Sequence, residues 1–497
     1  MCRILSTLGN LASRYPRLAI FLFGGLTSLS FAPFYCFPAG IVGFSGMLYC
    51  LALSPWSNRP YFYGWWFSFG YFVVGLYWIA NGLKTAGFWY LMPLGWIGLP
   101  AFLSLLIMPA VGLSCQGARP GLARCLLFTI LWSIGEYLRG HLLTGFPWNL
   151  NGYVWSLEIL QVTSIIGIYG LSLLTTLLFV SLASKNRTFI VGCLMLFMGL
   201  YGWGHHRLTQ FPTERTGINM RLVQAAIPQQ LKWLSDHFEE NLNKHLGLSM
   251  MDGERPLKAI IWSEASIPTF ITRYPVLMSA LAAAAPSQGY IIVGGPRHGT
   301  DKQIYTSTLV VNTQAELVAS YDKSHLVPFG EYFPLRKIFP YMSKLTHGEQ
   351  DYSAGASVQT VTIDGLPPFS PLICYEAIFP GAVVTTPRPA WMLNQTNDAW
   401  YGYSTGPFQH LQIVRTRAVE EGIPLVRAAN NGISAVVDAV GRITEQLALD
   451  EFGFIDFDLP KVLPISTQYS QYRNLTFFIL IVALGLVYLI VRRREHA

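Results

Sequence analysis

Long apolar stretches separated by short polar ones fill the first two hundred residues of the chain. A helix needs roughly 20 apolar residues to cross a hydrocarbon core about 30 Å thick. Seven stretches before residue 210 approach this requirement, and an eighth covers residues 475–491. The pattern predicts a multi-span helical membrane domain with eight transmembrane helices. The seven stretches centre on AIFLFGGLTSLSF, GIVGFSGMLYCLAL, FYGWWFSFGYFVVGLYWIA, LMPLGWIGLPAFLSLLIMPAVGL, LLFTILWSIGEYL, LEILQVTSIIGIYGLSLLTTLLFV and FIVGCLMLFMGLYGW.

The basic residues indicate how the predicted helices are oriented. If both termini face the cytoplasm, most flanking Lys and Arg lie on the cytoplasmic side, including Arg14, Arg17, Arg119 and Arg492. Cytoplasmic loops of membrane proteins carry such an excess. The segment between the seventh and eighth helices then lies outside the cytoplasm, which in a bacterium with two membranes is the periplasm. No clear small-residue cleavage site follows the first apolar stretch, so a cleaved signal peptide is not expected.

Between residues 210 and 472 the pattern changes to short apolar runs that alternate with amphipathic stretches. Short runs bounded by turn residues are typical of strands, and GPFQHLQIVRTRAVEEG has the period of an amphipathic helix. This alternation predicts an α/β domain in which sheets pack between helices. We therefore expect a membrane domain at 1–209, an α/β domain at 210–472, and an eighth membrane helix with a basic tail at 473–497. The predicted strands are INMRLVQAAI, AIIWSEA, GYIIVGG, YTSTLVVN, ELVASYDK, FSPLICYE, AWMLNQT, IPLVRAAN, ISAVVDA and FGFIDFDL.

Composition supports a membrane protein and narrows its partners. The chain has 497 residues, of which 52% are hydrophobic and 12% charged, against roughly 25% charged in an ordinary soluble domain. The net charge of +7 is mild and much of it flanks the predicted helices, so no nucleic-acid partner is expected. The α/β segment has one cysteine, Cys374, and contains no CxxC or CxxH pair. We therefore expect neither an internal disulfide there nor a metal or other cofactor.

Three reactive residues stand where predicted strands end: Glu264 in IIWSEAS, Lys323 in ASYDKSHLVPFGEYFP and Cys374 in PLICYE. Loops at strand ends of α/β domains converge on one crevice. A free thiol is only a few per cent ionised near pH 7, so a nucleophilic cysteine needs a base, and a carboxylate can serve. A lysine can hold the oxyanion of a tetrahedral intermediate. The three residues together form a set suited to acyl transfer through a covalent intermediate.

Each of these residues also has a structural interpretation. Cys374 can be a buried, inert thiol, as most cysteines are. Glu264 and Lys323 can form a surface ion pair of little consequence. His325, two residues after the lysine, offers a Cys–His pair as an alternative to a carboxylate base, although it can equally be an ordinary loop histidine.

The predicted membrane domain contains one polar pair of its own. Glu136 and Arg139 lie three residues apart near the outer end of the fifth predicted helix. Charged residues at membrane depth are costly and often functional. The pair is either functional or a structural salt bridge that anchors the neighbouring loop sequence FPW.

The segments WSEA, YDKSHLVPFGEYFP and ICYEAIFP resemble the nitrilase superfamily of carbon–nitrogen hydrolases. The resemblance implies a nitrilase-like α-β-β-α sandwich with a Glu–Lys–Cys triad. With eight predicted membrane helices and the loop EYLRGHLLTGFPWNLNGY, the chain resembles the membrane-bound apolipoprotein N-acyltransferase family in particular. One departure is visible, because RAAN stands where that family would have RATN.

The resemblance also implies roles for individual residues. Glu264 would be the general base, Lys323 the oxyanion stabiliser and Cys374 the nucleophile. Three further residues would surround the reacting carbonyl, and two aromatic residues would lie on a mobile arm and at the junction of membrane domain and lipid. These residues are Glu331, Tyr375 and Glu376 for the carbonyl, Trp233 for the arm and Trp148, in FPW, for the junction.

The implied reaction moves an acyl chain from a phospholipid to the free α-amine of the diacylglyceryl-cysteine that begins an apolipoprotein. Cys374 would carry the chain as a thioester between the two half-reactions of a ping-pong cycle. The expected partners are the membrane, the phospholipid donor and the diacylated apolipoprotein, with the enzyme a monomer. The rival hypotheses are a membrane-tethered amidase or nitrilase-type hydrolase, and a transporter or scaffold with an inactive enzyme-like domain.

Overall fold

The computed structural model describes residues 14–53, 58–253, 255–338, 341–342, 344–346, 348 and 350–496. The chain forms two compact units. A helical unit holds the segments up to Asn81, from Tyr90 to Gln210 and from Thr467 onward, and an α/β unit holds Gly82–Trp89 and Phe211–Ser466. The predicted membrane domain begins within residues 1–13, which lie outside the described residues.

Helices account for nearly all of the first unit. Several begin with proline in the first turn, where the missing N–H has no helical partner in any case.

The described α-helices of both units, numbered in chain order, are α1 Pro16–Thr27, α2 Phe37–Cys50, α3 Pro60–Gly75, α4 Ile79–Thr85, α5 Leu99–Gly117, α6 Leu122–His141, α7 Leu157–Leu160, α8 Thr163–Phe179, α9 Arg187–Gln210, α10 Gln229–Lys232, α11 Phe238–Met250, α12 Pro275–Ala284, α13 Gly406–Glu421, α14 Gln468–Tyr472 and α15 Leu475–His496.

Close packing between α1 and α3 depends on two glycines. A Cβ atom placed on Gly24 would lie 1.9 Å from the Phe67 carbonyl oxygen, and one on Gly70 would lie 2.0 Å from the Phe21 carbonyl oxygen. Small residues allow helix backbones to approach in this way, and such contacts are common between helices in membranes.

Three segments are long and apolar enough to cross a membrane: Trp89–Gly117, Arg187–Gln210 and Leu475–Glu495. The predicted spans at α2 and α8 fall on shorter apolar helices, of 14 and 17 residues. In α8 the helix is kinked, because Gly167 adopts φ +66°. The described residues thus contain a helical unit with three candidate membrane helices.

The α/β unit contains two six-stranded sheets, with strand orders β12-β1-β2-β3-β4-β5 and β11-β10-β9-β8-β7-β6. Strands β1, β2 and β3 are parallel, as are β7, β8 and β9, and the other neighbours are antiparallel. The strands are β1 Arg215–Gln224, β2 Ala259–Ile261, β3 Tyr290–His298, β4 Ile304–Asn312, β5 Leu317–Asp322, β6 Val361–Ile363, β7 Leu366–Ile373, β8 Trp391–Thr396, β9 Leu425–Ala429, β10 Ser434–Val437, β11 Ile443–Leu447 and β12 Gly453–Pro460.

The two sheets face each other across an apolar core, in which Leu222 and Ile292 from one sheet and Phe369 and Val426 from the other are buried. A second core lies between the outer face of the first sheet and helices α11 and α12. A third lies between the outer face of the second sheet and helix α13. The order of layers is therefore helix, sheet, sheet, helix, and the predicted nitrilase-like α/β sandwich is confirmed.

Two strands were absent from the sequence prediction. Strand β6 has only three residues, and β11 reads ITEQL with four of its five side chains partly or fully exposed. Both are edge strands. An edge strand needs little apolar pattern because one side of it meets solvent, so the strand signal is weak in both.

Candidate active site

The turn that carries Cys374 is strained. Strand β7 ends at Ile373, and Cys374 adopts φ +50°, in the left-handed region that residues with a Cβ atom rarely occupy. A short 3₁₀ turn, Cys374–Ile378, follows directly. The carboxylate of Glu376 accepts a hydrogen bond from the Ile373 backbone N–H at 2.7 Å, which closes the turn from within. Backbone strain of this kind is typical of functional sites.

Glu376 also ties this turn to the loop that carries Lys323. Its other oxygen, Oε1, accepts hydrogen bonds from the Ser324 N–H, the Ser324 hydroxyl and the Tyr321 hydroxyl, each at 2.7 Å. Burial, with the Glu376 charge second, holds the pKa of Tyr321 far above its ordinary value, so Tyr321 stays a hydrogen-bond donor. Glu376 therefore links the end of strand β7 to the end of strand β5 through hydrogen bonds.

Lys323 lies between two buried carboxylates. Its Nζ is 2.9 Å from Glu331 Oε1 and 3.6 Å from Glu264 Oε1, and the lysine itself is 1% exposed. The second oxygen of Glu331 accepts a hydrogen bond from the Val327 N–H at 2.7 Å. The Glu264–Lys323 pair is thus an interior ion pair and not a surface one.

Cys374 belongs to the same cluster, because the charges of Glu264 and Lys323 both act on its thiol. Burial, with the Glu264 charge second, raises the pKa of Cys374 to about 12. Burial is also the main cause of the raised pKa of Glu264, and the charge of Lys323 opposes it. Although burial alone would lower the pKa of Lys323, the Glu331 and Glu264 carboxylates raise it strongly, so Lys323 remains an ammonium.

These protonation states define what the cluster can do. A thiol with a raised pKa stays protonated at rest, and a carboxylate in the same buried cluster can take its proton. The nearby ammonium of Lys323 can stabilise negative charge that develops on a carbonyl oxygen. The arrangement suits attack of sulfur on an acyl carbon.

A second buried charged cluster lies next to Cys374 and was not recognised in the sequence. Asp398, His410 and Arg427 come from a 3₁₀ turn, helix α13 and strand β9, and all three side chains are fully buried. The Thr396 hydroxyl donates to Asp398 Oδ1 at 3.0 Å, and the charge of Asp398 acts on the Cys374 thiol. In the sequence, His410 and Arg427 lie in segments predicted only as an amphipathic helix and a strand.

The remaining residues expected from the sequence have different surroundings. His325 stacks on Phe379 with ring centroids 4.0 Å apart. Tyr375 packs edge-on against the same ring at 5.0 Å. Trp233 is half-buried and follows directly after helix α10. The charge of Glu264 acts on the Cys374 thiol, so we favour that carboxylate over His325 as the base.

Trp148 belongs to the helical unit, where it is 1% exposed and packs against Trp78 at 4.7 Å between ring centroids. Its carbonyl oxygen accepts a hydrogen bond from Arg139 Nη1 at 2.6 Å, as does the carbonyl oxygen of Phe146. Glu136 instead accepts a hydrogen bond from the Asn151 N–H at 3.0 Å. Arg139 therefore anchors the FPW loop through backbone carbonyls, and not through the salt bridge with Glu136 that the structural interpretation expected.

The fold and this site define a class of protein. Residues 220–463 match the carbon-nitrogen hydrolase family, and residues 23–182 match the apolipoprotein N-acyltransferase N-terminal domain. A solved amidase from Nesterenkonia sp. is 18% identical, and the alignment covers 53% of this chain and 96% of the amidase with a TM-score of 0.36. The family model that matches residues 220–463 assigns the α/β unit to the carbon-nitrogen hydrolase class.

Full-length relatives narrow the class to a family. The apolipoprotein N-acyltransferase of Rickettsia typhi is 38% identical over 488 residues, which cover 95% of this chain and 97% of the relative. The protein of the same name from Rhodopseudomonas palustris is 36% identical and covers 95% of this chain and 94% of the relative. This chain belongs to the apolipoprotein N-acyltransferase family.

Proposed function

We propose that this protein is an N-acyltransferase that completes lipoprotein maturation. It transfers an acyl chain from a phospholipid, through a thioester on Cys374, to the α-amine of the N-terminal diacylglyceryl-cysteine of an apolipoprotein. The observation that carries the proposal is the buried Glu264–Lys323–Cys374 cluster with the nucleophile on a strained turn. Membership of the family supports the donor and the acceptor.

In the first half-reaction, Cys374 sulfur forms a bond to the ester carbonyl carbon of the phospholipid. The thiol proton passes to Glu264, and the carbonyl oxygen becomes an oxyanion near the Lys323 ammonium. When the tetrahedral intermediate collapses, the carbon–oxygen ester bond breaks. The leaving alkoxide takes the proton from Glu264, and a lysophospholipid departs.

In the second half-reaction, the acceptor amine attacks the thioester carbonyl carbon. Glu264 takes a proton from the attacking nitrogen, and the carbon–sulfur bond breaks as the amide forms. The departing thiolate is reprotonated by Glu264, so the enzyme regains its resting state. Amines attack thioesters readily, and exclusion of water from the site would limit hydrolysis while the acyl-enzyme waits.

The substrates of this reaction are lipids, so the proposal includes a membrane setting. Eight transmembrane helices hold the protein in the bacterial inner membrane, with both termini cytoplasmic, a membrane domain at 1–209 and an eighth helix and tail at 473–497. The catalytic domain at 210–472 lies in the periplasm, and the enzyme acts as a monomer. The three candidate membrane helices and the excess of Arg and Lys in the expected cytoplasmic loops support this topology.

Mass spectrometry of the Cys374 peptide tests the proposal. The purified protein is incubated with phospholipid in the absence of an acceptor, with Cys374→Ala as the matched control. We expect an acyl mass on the wild-type peptide that hydroxylamine removes, and no such mass on the variant, which folds normally. Unmodified Cys374 in folded protein with intact lipid would contradict the thioester.

The same preparation separates the acyltransferase from a membrane-tethered hydrolase. Addition of a lipopeptide with a free N-terminal diacylglyceryl-cysteine should discharge the thioester and form an amide. Rapid loss of the acyl chain to water, with no gain from the added amine, would instead favour an amidase or nitrilase-type hydrolase.

A further inference from the structure

Lys232 is a buried lysine that the reaction described above does not use. It ends helix α10, is 3% exposed, and its Nζ donates a hydrogen bond to the main-chain carbonyl oxygen of Glu264 at 2.9 Å. Among the described residues this carbonyl is its only hydrogen-bond acceptor, and no carboxylate lies within salt-bridge distance of it. A buried ammonium without an ion-pair partner is costly, so a lysine in this position needs an explanation.

The carbonyl that Lys232 holds belongs to a strained turn. Ala265, directly after Glu264, adopts φ +45°. On the opposite side, a Cβ atom on Gly294 of strand β3 would lie 2.6 Å from the Ala265 nitrogen, so only glycine lets the strand pass. The turn that carries Glu264 is therefore fixed between strand β3 and the Lys232 ammonium.

The segment before Lys232 is itself anchored to the other sheet. Asn430, after strand β9, donates to the Ile227 carbonyl oxygen at 2.7 Å, and Asn397, after strand β8, donates to Gln229 Oε1 at 2.7 Å. The main chain just before Lys232 is therefore held in place, which restricts where the Lys232 side chain can lie.

Lys232 supplies a second positive charge that acts on Glu264. Lys323 lies between the buried carboxylates of Glu264 and Glu331, and the buried Lys344 also acts on Glu331. The positive charge of Lys232 lowers the pKa of Glu264, although burial raises it more. Without Lys232, Glu264 would therefore keep its proton to higher pH.

Glu264 is held less tightly than its neighbour Glu331. Glu331 accepts hydrogen bonds from Lys323 at 2.9 Å and from the Val327 N–H at 2.7 Å, whereas Glu264 lies 3.6 Å from Lys323. Glu264 therefore depends more on the charge of Lys232, and loss of that charge would favour the protonated form of the base.

We propose that Lys232 is a positioning residue for Glu264, fixing its main chain and keeping its carboxylate ionised so that it can accept the Cys374 proton. The inference rests on the proposed function, because it assigns Glu264 the role of base. The titratable groups that interact with Glu264 or with Lys232 are Lys323, Glu331, Cys374, Tyr352, Tyr401 and His245.

The test is the pH profile of Cys374 acylation by phospholipid without acceptor, measured by mass spectrometry for wild type, Lys232→Met and Lys232→Arg. Glu264 must be ionised to act as base, so a higher pKa of Glu264 moves the acidic limb of the profile to higher pH. For Lys232→Met we expect a shift of about one pH unit, which is a rate about tenfold lower on the acidic side. Lys232→Arg keeps the charge and should stay close to wild type.

Lys244→Met is the matched control, because Lys244 lies on the neighbouring helix α11 with a side chain 37% exposed. Its profile should coincide with that of wild type. A uniform fall in rate for Lys232→Met with no shift of the limb would indicate a purely structural role and overturn the inference. An equal shift in the arginine variant would overturn it as well.

Alkylation of Cys374 by iodoacetamide provides a readout that needs no acyl donor. The same variants should show the same shift, because Glu264 takes the thiol proton in this reaction too. If wild-type Cys374 takes no acyl chain from phospholipid but the alkylation profile shifts as expected, the proposed function fails and the coupling between Lys232 and Glu264 stands. If neither profile shifts, the coupling is refuted.

Discussion

The charges of two buried clusters act on Cys374, and the carboxylates of these clusters are bound very differently. In one, Glu264 lies 3.6 Å from Lys323, and burial raises its pKa. In the other, Asp398 Oδ1 accepts from the Thr396 hydroxyl at 3.0 Å and lies 3.1 Å from His410 Nδ1, and Oδ2 accepts from Arg427. Both carboxylates are removed from water, but only Asp398 has hydrogen-bonding partners on both of its oxygens.

The pKa values express this difference. Burial would raise the pKa of Asp398, but Arg427 and then His410 outweigh it and hold the pKa far below its ordinary range. Burial and the Arg427 charge also lower the pKa of His410, which stays neutral. A carboxylate held this tightly keeps its charge and supports structure, whereas the loosely held Glu264 can exchange a proton. Depth of burial alone therefore does not separate a catalytic cluster from a structural one.

Replacing the loosely bound carboxylate should have the largest effect on activity. Glu264→Gln removes the base but keeps the shape, so we expect acylation of Cys374 to slow about 10²–10⁴-fold. The free energy of unfolding should change little, because Lys323 retains Glu331 at 2.9 Å. Time-resolved mass spectrometry of the Cys374 peptide measures the rate.

Normal acylation by this variant would remove Glu264 from the role of base and make His325 the better candidate. His325→Gln is the companion variant, and it should acylate at nearly the wild-type rate. Its ring stacks on Phe379 and has no assigned part in the proton transfer.

The second cluster should respond in stability rather than in acylation chemistry. Arg427→Met leaves Asp398 and the Asn394 side chain without their buried partner. Removing one member of a buried ion pair typically costs about 3–5 kcal/mol, so we expect a loss of that size in the free energy of unfolding, measured by denaturant titration in detergent. Arg215→Met is the control, because its pair with Glu445 is exposed and worth about 0–1 kcal/mol.

A loss for Arg427→Met no larger than that of the exposed control would contradict the structural role of the second cluster. The double variant that also carries Asp398→Asn should recover part of the loss, since it removes the uncompensated charge. No recovery would mean that packing, and not charge, carries the effect.

The sequence predicts the first cluster better than the second, for physical reasons. Glu264, Lys323 and Cys374 each follow a recognisable strand, and loops at strand ends of α/β domains converge on one crevice, so their approach could be anticipated. Arg427 lies on a strand that was also predicted and Asp398 follows another, but charged residues are so rarely fully buried that their presence suggests exposure to solvent.

Side-chain direction was the other missing information. The sequence PQQLKW gives Lys232 no period that would turn it toward Glu264, and only the anchoring of its backbone does so. The left-handed backbone at Cys374 and Ala265 was equally invisible, because neither residue type favours it. The sequence thus revealed which residue types were present at strand ends, and tertiary contacts decided which way they faced.

The smallest expected effect is a difference in how the stability contributions of Asp398 and Glu264 depend on pH. The pKa of Asp398 is lower in the folded protein than in the unfolded chain, where it is about 3.9. Its contribution to stability is therefore fully present above roughly pH 5 and is lost as the pH falls through the folded value. Asp398→Asn resembles the protonated state, so the difference in free energy of unfolding between wild type and this variant should shrink between about pH 5 and pH 3. For Glu264→Gln, the wild type should not lose a stability advantage over the variant as the pH falls. The raised pKa of Glu264 means that its charge is unfavourable to folding. Parallel stability curves for wild type and Asp398→Asn across this range would show that the Asp398 charge is not what holds the second cluster together.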